Sequence, residues 1–380
     1  KKIVIRCFTC RRDAANAILL AKCLERMGCD VIIASIRNFK FVCKYWKPHI
    51  AVFNVTSGGI FVKNIDPNIL TVYLDGEGHM PNEEAYREKF SKKPDIMSSI
   101  DIVLVWGEIV KKYMKLAFPS KKNIHVVGWQ SLDFIRYNNW RSNKKTIGFV
   151  MRSPAINDHQ GSPTIRTICN PGNLNRIIIQ AKSFVTTINC MREVLKNSDF
   201  DISIRPHPLE QIESYKQYKS KWFKGLEHRV NIDETLSFSE WVSDQKLIVS
   251  PTSLSSLEAY LSNVPIINID KMIGIDKYSK NYSKLTLEWH QLANIPKNKK
   301  EFIDMINNKY LSVKKNKTID KQLKEYCNAH VRKSASMEAA QRINNHKINM
   351  ISSRVLCVPK FLIKFHDELN FKKQCKLNPL

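Results

Sequence analysis

Four short segments of this 380-residue chain combine residue types that can handle phosphate and hydroxyl groups. The first is Asp201-Ile-Ser-Ile-Arg205-Pro206-His207-Pro208. Two prolines flank His207 and lock a turn at the end of an apolar run. Extended geometry through the turn puts Arg205 and His207 on one side. A guanidinium neutralises phosphate through paired N–H groups, and an imidazole donates a hydrogen bond or a proton to a departing phosphate oxygen. A structural alternative fits the same residues: a His capping the next helix and an Arg in solvent.

The second segment runs Ser250-Pro251-Thr252-Ser253-Leu254-Ser255-Ser256-Leu257-Glu258. Hydroxyls from Ser250, Thr252, Ser253, Ser255 and Ser256, with free N–H groups at a helix start, form an anion site without a metal. Glu258 can hold a ribose diol through its carboxylate, and Ser255-x-x-Glu258 also reads as a capping box. The third is Tyr73-Leu74-Asp75-Gly76-Glu77-Gly78-His79. Its glycines let a ligand approach closely. Either Asp75 or Glu77 can act as a base toward an acceptor hydroxyl or as a nucleophile. The same residues also fit a solvated polar turn, and two carboxylates are a weak metal signal. The fourth is Thr9-Cys10-Arg11-Arg12-Asp13, whose two arginines can attract an anionic substrate or stay on the surface. Arg152 and Gly59 occupy comparable positions after apolar runs.

These segments need elements to hold them, and the hydropathy pattern supplies alternating strands and helices. Strands are expected at Ile3–Cys7, Val31–Ser35, Ile50–Val55, Leu70–Leu74, Ile102–Val105 and Ile124–Val127. A polar break at Arg141–Lys145 is followed by strands at Thr146–Met151, Asp201–Ile204, Leu247–Val249 and Pro265–Ile269. Helices are expected at Ala14–Met27, Leu174–Leu195, Glu210–Lys219 and Ser255–Leu261, and throughout much of the chain beyond Phe302. The alternation implies an α/β chain of two doubly wound, Rossmann-like domains facing a cleft. The expected domains are residues 1–143, residues 144–330, and a helical, basic extension over 331–380. In such sheets ligands bind beyond the carboxyl ends of the strands, where all four segments lie.

Composition narrows the class. Hydrophobic residues make up 43% and charged residues 25%, which suits a globular chain with a real core and excludes a disordered or collagenous one. No run approaches ~18 uninterrupted apolar residues, so no membrane span is expected. Sixty-one Lys and Arg against 35 Asp and Glu give a net charge of +26, which favours anionic partners. Ten Cys are scattered singly apart from Cys7-x-x-Cys10, and no second pair follows to make a zinc site. That usage fits a reducing cytosol. Nucleic acid remains an alternative partner through charge alone, but no aromatic-interleaved basic motif or helix-turn-helix pattern supports it.

With Asp75-Gly76-Glu77-Gly78, His207-Pro208 and Ser250–Ser256 in that order, the chain resembles two-domain glycosyltransferases of the GT-B type. More narrowly, it resembles bacterial Kdo transferases and sialyltransferases, which share an acidic-acidic-Gly motif, an HP motif and a Ser/Thr-rich loop. Trp106-Gly107 and Val127-Gly128 with Asp133 add to the likeness, which spans roughly residues 1–270. Gly76 stands where a second acidic residue is usual, leaving Asp75 and Glu77 both open. The resemblance implies transfer of a sugar, such as Kdo or another ulosonic acid, from a CMP-activated donor to a surface glycan or lipid-linked acceptor. It further implies Arg205, His207 and Pro208 at the CMP phosphate, and the Ser/Thr loop, Glu258 and Arg152 around the nucleotide. Asp75 or Glu77 would react, Arg11 and Arg12 would draw in the anionic substrate, and no metal cofactor would be required. The alternative enzyme is a CDP-polyol phosphotransferase of teichoic-acid type, with the same CMP leaving group. A cytoplasmic location is expected, with the basic, partly apolar Val355–Leu380 either packing back on the first domain or touching the inner face of an anionic membrane.

Overall fold

The computed structural model describes residues 1–346, apart from 77, 79, 81, 93–94, 136–143, 159–163, 165–167, 170–171, 173, 252, 275–291, 309–310 and 329–332. The chain divides into two compact units, Lys1–Gln130 with Leu323–Leu380, and Ser131–Gln322.

The first unit is built on six parallel strands: β1 (Lys2–Cys7), β2 (Asp30–Ser35), β3 (Ile50–Phe53), β4 (Leu70–Leu74), β5 (Ile102–Val105) and β6 (Ile124–Val126). They lie in the order β2-β1-β3-β4-β5-β6. Every residue of β3 and β5 is buried, which explains why Ile-Ala-Val-Phe and Ile-Val-Leu-Val show no polar alternation. The helix Ala15–Arg26 buries Ala17, Leu20, Ala21 and Leu24 at helical spacing. These pack with Ala339, Ala340 and Ile343 from the helix Ala335–Asn345, so the late part of the chain completes this core. Ser334 starts that helix by accepting the Met337 N–H at 3.2 Å.

The second unit has five parallel strands: β7 (Thr146–Val150), β8 (Asp201–Arg205), β9 (Val230–Ile232), β10 (Leu247–Ser250) and β11 (Ile266–Asn268). Their order is β11-β10-β7-β8-β9. The 24-residue helix Leu174–Asn197 lays Ile188, Met191, Val194 and Leu195 on Ile202, Ile204 and Phe149 of the sheet.

Ten of these strands match the expected ones within two residues at either end. The exception is β9, whose three residues, Val-Asn-Ile, are too short to carry a periodic signal. Beyond Phe302 the helices Lys317–Cys327 and Ala335–Asn345 follow Lys299–Asn307, in line with the helical pattern. Residues 141–143 of the expected linker and the Val355–Leu380 segment lie outside the described residues.

Both sheets are doubly wound. Successive strands run outward from β1 to β2 and then back across through β3, and from β7 to β9 and then back across through β10. The order therefore reverses between β1 and β3 in one unit, and between β7 and β10 in the other. At such a reversal the loops at the carboxyl ends diverge and leave a crevice for a ligand.

Candidate active site

In the second unit the reversal places the loop after β7, with Arg152 and Ser153, beside the serine-rich loop after β10. The His-Pro turn follows β8, the next strand over. Arg152 is exposed there. His207 is half-buried, and its Nδ1 accepts the Leu209 N–H at 3.2 Å. In the neutral ring this assigns the proton to Nε2, which is thereby a hydrogen-bond donor. The His207 carbonyl accepts the Glu210 N–H at 2.8 Å, and Pro208 is half-buried beside it. His207 thus caps its own turn.

Arg205 takes a different position from the open anion receptor that its place in the sequence suggests. It is 5% exposed, and its Nη1 donates to the Asp233 carboxylate, to Thr235 Oγ1 at 2.7 Å and to the Thr235 carbonyl at 3.1 Å. Its guanidinium lies 5.8 Å from the ring centres of Phe238 and Trp241. Removing one partner of such a buried pair costs roughly 3–5 kcal/mol, because the other charge is stranded. Arg205 therefore ties β8 to the loop after β9 and supports the His-Pro turn from below.

The serines after β10 interlock. Ser250 is fully buried, and its Oγ lies 3.5 Å from Ser255 Oγ, which also meets Ser253 Oγ. Ser253 Oγ accepts the Ser255 N–H at 3.0 Å and its carbonyl accepts the Ser256 N–H at 3.1 Å. Leu254 O takes the N–H groups of Leu257 and Glu258. The helix Ser255–Leu261 thus starts with its amides already satisfied, and what it can offer an anion is serine hydroxyls rather than free N–H groups. The capping box does not form either. Glu258 accepts from Ser239 Oγ at 3.0 Å. Desolvation pushes its carboxyl up to about 7, against the lowering pull of the Ser239 hydroxyl and the Arg205 charge. Thr252 lies outside the described residues.

The sequence marks Glu210, three residues after His207, only as the start of a helix. It is 5% exposed and its carboxylate accepts the Ser153 N–H and the Tyr215 hydroxyl. One side chain thus joins the loop after β7, the turn after β8 and the helix Ile212–Trp222. Asp233, Thr235 and Ser239 were also missed, because they follow β9, the strand that left no periodic signal. Trp241, from the same stretch, donates its indole N–H to Ser203 Oγ of β8 at 2.8 Å. His207-x-x-Glu210 was the available clue: an acidic residue just before a helix, two positions ahead of its first residue Ile212.

The first unit gathers its candidates on loops after β1 and β4. Asp75 is turned inward, 3% exposed, with Oδ1 accepting from Tyr73 OH at 3.0 Å and from Lys89 Nζ at 3.4 Å. Its carbonyl accepts the Trp106 indole N–H at 2.6 Å. Trp106 stacks on Trp129 with ring centres 4.8 Å apart. A Cβ on Gly78 would sit 2.5 Å from the Trp106 ring, so only glycine lets this turn wrap the indole. Burial beside Asp75 also raises the Tyr86 phenol well above its ordinary value. Glu77 lies outside the described residues. After β1, Asp13 accepts the Thr9 N–H at 2.9 Å and pairs with Arg12 Nε at 2.9 Å. Arg12 also lies 5.5 Å from the Phe8 ring centre, and Arg11 is half-buried. Among the described residues no group of three or more His, Cys, Asp or Glu is arranged to hold a metal. None of the described helices is long and apolar enough to cross a membrane.

No protein-family model and no curated protein sequence matches this chain. Solved structures do match it. S. aureus MnaA, in a co-structure with UDP, has a TM-score of 0.54 at 13% identity over 90% of this chain and 96% of that one. Methanocaldococcus jannaschii UDP-GlcNAc 2-epimerase, in complex with UDP-GlcNAc and UDP, has a TM-score of 0.53 at 14% identity, covering 90% and 99%. The wall teichoic acid polymerase TagF has a TM-score of 0.52 at 14% identity, covering 98% and 90%. With its two doubly wound parallel sheets, the chain has an α/β fold of the GT-B type.

Proposed function

We propose that this chain is a nucleotide-sugar-dependent transferase whose donor carries CMP. The observation that carries the reading is the His-Pro turn beside the sheet-order reversal, with Nδ1 of His207 accepting the Leu209 N–H and the proton of the neutral ring thereby on Nε2. A donor phosphate in the crevice after β7 and β10 would meet the imidazole N–H, the half-buried Ser253 hydroxyl and exposed Arg152. As the bond from the sugar to the phosphate oxygen breaks, the electron pair stays on that oxygen, and the His207 N–H stabilises it. The acceptor hydroxyl forms the new bond and loses its proton to a carboxylate. Asp75 already takes two donors inside the first unit, which favours Glu77 as that carboxylate and Asp75 as its support. An ulosonic acid such as Kdo on a surface glycan or lipid-linked acceptor remains the substrate pair that the motif resemblance supports.

The likeness to a wall teichoic acid polymerase along 98% of the chain favours a second reading, a CDP-polyol phosphotransferase. It shares the CMP leaving group, and the product separates the two: a glycosidic bond in one, a phosphodiester in the other.

Thermal shift with CMP, CDP, UDP, GDP and dTDP tests the nucleotide, because a ligand bound only by the folded state raises the melting temperature. CMP and CDP are expected to stabilise the chain, and His207→Ala to abolish most of that gain while the fold persists. Preference for UDP, GDP or dTDP would discard the CMP donor. Full stabilisation by CMP in His207→Ala would discard the role given to the imidazole.

A further inference from the structure

Cys7-x-x-Cys10 runs from the last residue of β1 to the first residue of the helical turn Cys10–Ala14, and the transfer chemistry uses neither thiol. Both cysteines are free. Cys7 is 7% exposed, whereas Cys10 is on the surface. The Cys10 side chain hydrogen-bonds that of Cys7, so the two sulfurs are already in contact. Cys169 is the other exposed cysteine among the described residues, and its nearest cysteine in the chain, Cys190, is 21 positions away.

The residues between and after the pair are held in place. Thr9 donates its N–H to Asp13 Oδ2 at 2.9 Å, and its carbonyl accepts the N–H groups of Arg12 at 3.2 Å and Asp13 at 2.8 Å. Arg12 pairs with Asp13 and lies over the Phe8 ring. A turn fixed in this way keeps two thiols at high effective concentration, so joining them orders little that is not ordered already. Accessibility sets the sequence of events. Cys10 meets an external oxidant first, while burial pushes the Cys7 thiol up to about 12 and keeps it protonated until a partner sulfur is beside it.

We propose that Cys7 and Cys10 are a reversible modification site, a dithiol that small disulfides of the glutathione class oxidise to an internal disulfide, locking the turn that carries Arg11 and Arg12. The Cys10 thiolate attacks one sulfur of the oxidant and releases the first glutathione thiolate. Cys7 gives its proton to that thiolate, attacks the Cys10 sulfur and expels the second. Two protein thiols become one disulfide, and one glutathione disulfide becomes two thiols. In a reducing compartment such a bond is transient and senses redox state instead of holding the fold. The proposal stands on these thiols alone, whatever the chain transfers.

The test equilibrates the full chain in glutathione buffers of rising disulfide-to-thiol ratio, traps free thiols by alkylation and maps the chain with trypsin and mass spectrometry. Trypsin cuts after Arg6 and Arg11, and the peptide Cys7–Arg11 carries both of these cysteines and no other. The expected product is this peptide without alkylation and lighter by one H2 than its dithiol form, growing with oxidant and vanishing on return to reduced glutathione. Cys7→Ala should stop at a glutathione adduct on Cys10, and Cys10→Ser, a change at an exposed site, should leave Cys7 reduced. Full alkylation of the peptide at every ratio would overturn the proposal. So would a glutathione adduct on wild-type Cys10 without the internal bond, or an internal bond that reduced glutathione fails to open. Amide exchange reads the lock. Arg12 and Asp13, whose N–H groups bond to the Thr9 carbonyl, should exchange severalfold more slowly in the oxidised chain, and at an unchanged rate in Cys10→Ser given the same oxidant. Equal exchange in the oxidised and reduced wild type would overturn the locking role.

Discussion

Two carboxylates in the second unit, Glu210 and Glu258, differ in what surrounds them, and the difference sets what each substitution does. Glu210 accepts two hydrogen bonds from two different elements. Glu210→Ala strands the Ser153 N–H and the Tyr215 hydroxyl, and is expected to cost about 2–4 kcal/mol. Glu210→Gln keeps one acceptor oxygen and should cost less than half as much, while still weakening CMP binding, because the loop after β7 and the His-Pro turn lose their common anchor. Denaturant midpoints and CMP affinity for the two variants check this. Equal CMP affinity in both variants and the wild type would reduce Glu210 to a packing residue. Glu258 has one donor and is strongly desolvated. Its folded-state carboxyl, at about 7, lies above the unfolded one, so the folded state holds the extra proton between them. That contribution is fully present below about pH 4.5 and is lost as pH rises through about 7, a change of about 3 kcal/mol at most. Glu258→Gln should therefore match the wild type near pH 4.5 and melt several degrees higher near pH 8. An unchanged difference across that range would show that Glu258 does not titrate there.

At the scale of elements, the late helices are part of the first unit's architecture. Ile343 is fully buried against the helix Ala15–Arg26, and Ile343→Ala is expected to cost about 2–5 kcal/mol through lost burial and the cavity left behind. Gly107 is approached by backbone rather than side chains: a Cβ there would lie 2.2 Å from the Glu325 carbonyl oxygen and 2.4 Å from that of Tyr326. Backbone cannot rotate away as a side chain can, so Gly107→Ala must displace the end of the helix Lys317–Cys327 from the carboxyl edge of β5. Amide exchange is the suitable probe. Protection should fall at Trp129, whose N–H bonds to the Cys327 carbonyl at 3.2 Å, before the sheet itself is affected. Unchanged protection at Trp129 would mean the segment relaxes elsewhere.

The whole molecule carries a net charge of +26, the excess of 61 Lys and Arg over 35 Asp and Glu. Anionic ligands should therefore bind with a long-range electrostatic contribution that salt removes, since the Debye length falls from about 10 Å at 0.1 M to about 3 Å at 1 M. CMP affinity is expected to drop severalfold between those salt concentrations, chiefly through the association rate. A fluorescent oligonucleotide should show only weak, sequence-independent binding that disappears with salt. Tight, sequence-selective binding at about 0.15 M salt would put nucleic acid back in first place.

The amino-acid sequence by itself determined the α/β class, the positions of ten strands and the strand-end segments around Asp75, His207 and Ser250. It could do so because buried parallel strands are continuous apolar runs, and because Pro, Gly and Ser mark the turns that end them. It could not determine which candidates are open to a ligand. Arg205 and Asp75 look like exposed charges when read along the chain. Asp233, 28 residues from Arg205, and Lys89, 14 residues from Asp75, turn them inward. Ser253 closes the amides of the following helix, and Glu258 reaches Ser239 rather than its own helix start. Strand order decided the rest. Ile5 and Val52 are 47 positions apart in the sequence and pair only because β3 crosses to the far side of β1, a consequence of how the sheet is wound. Pairing across such distances depends on which surfaces pack best in three dimensions, and local patterns of residues do not encode it.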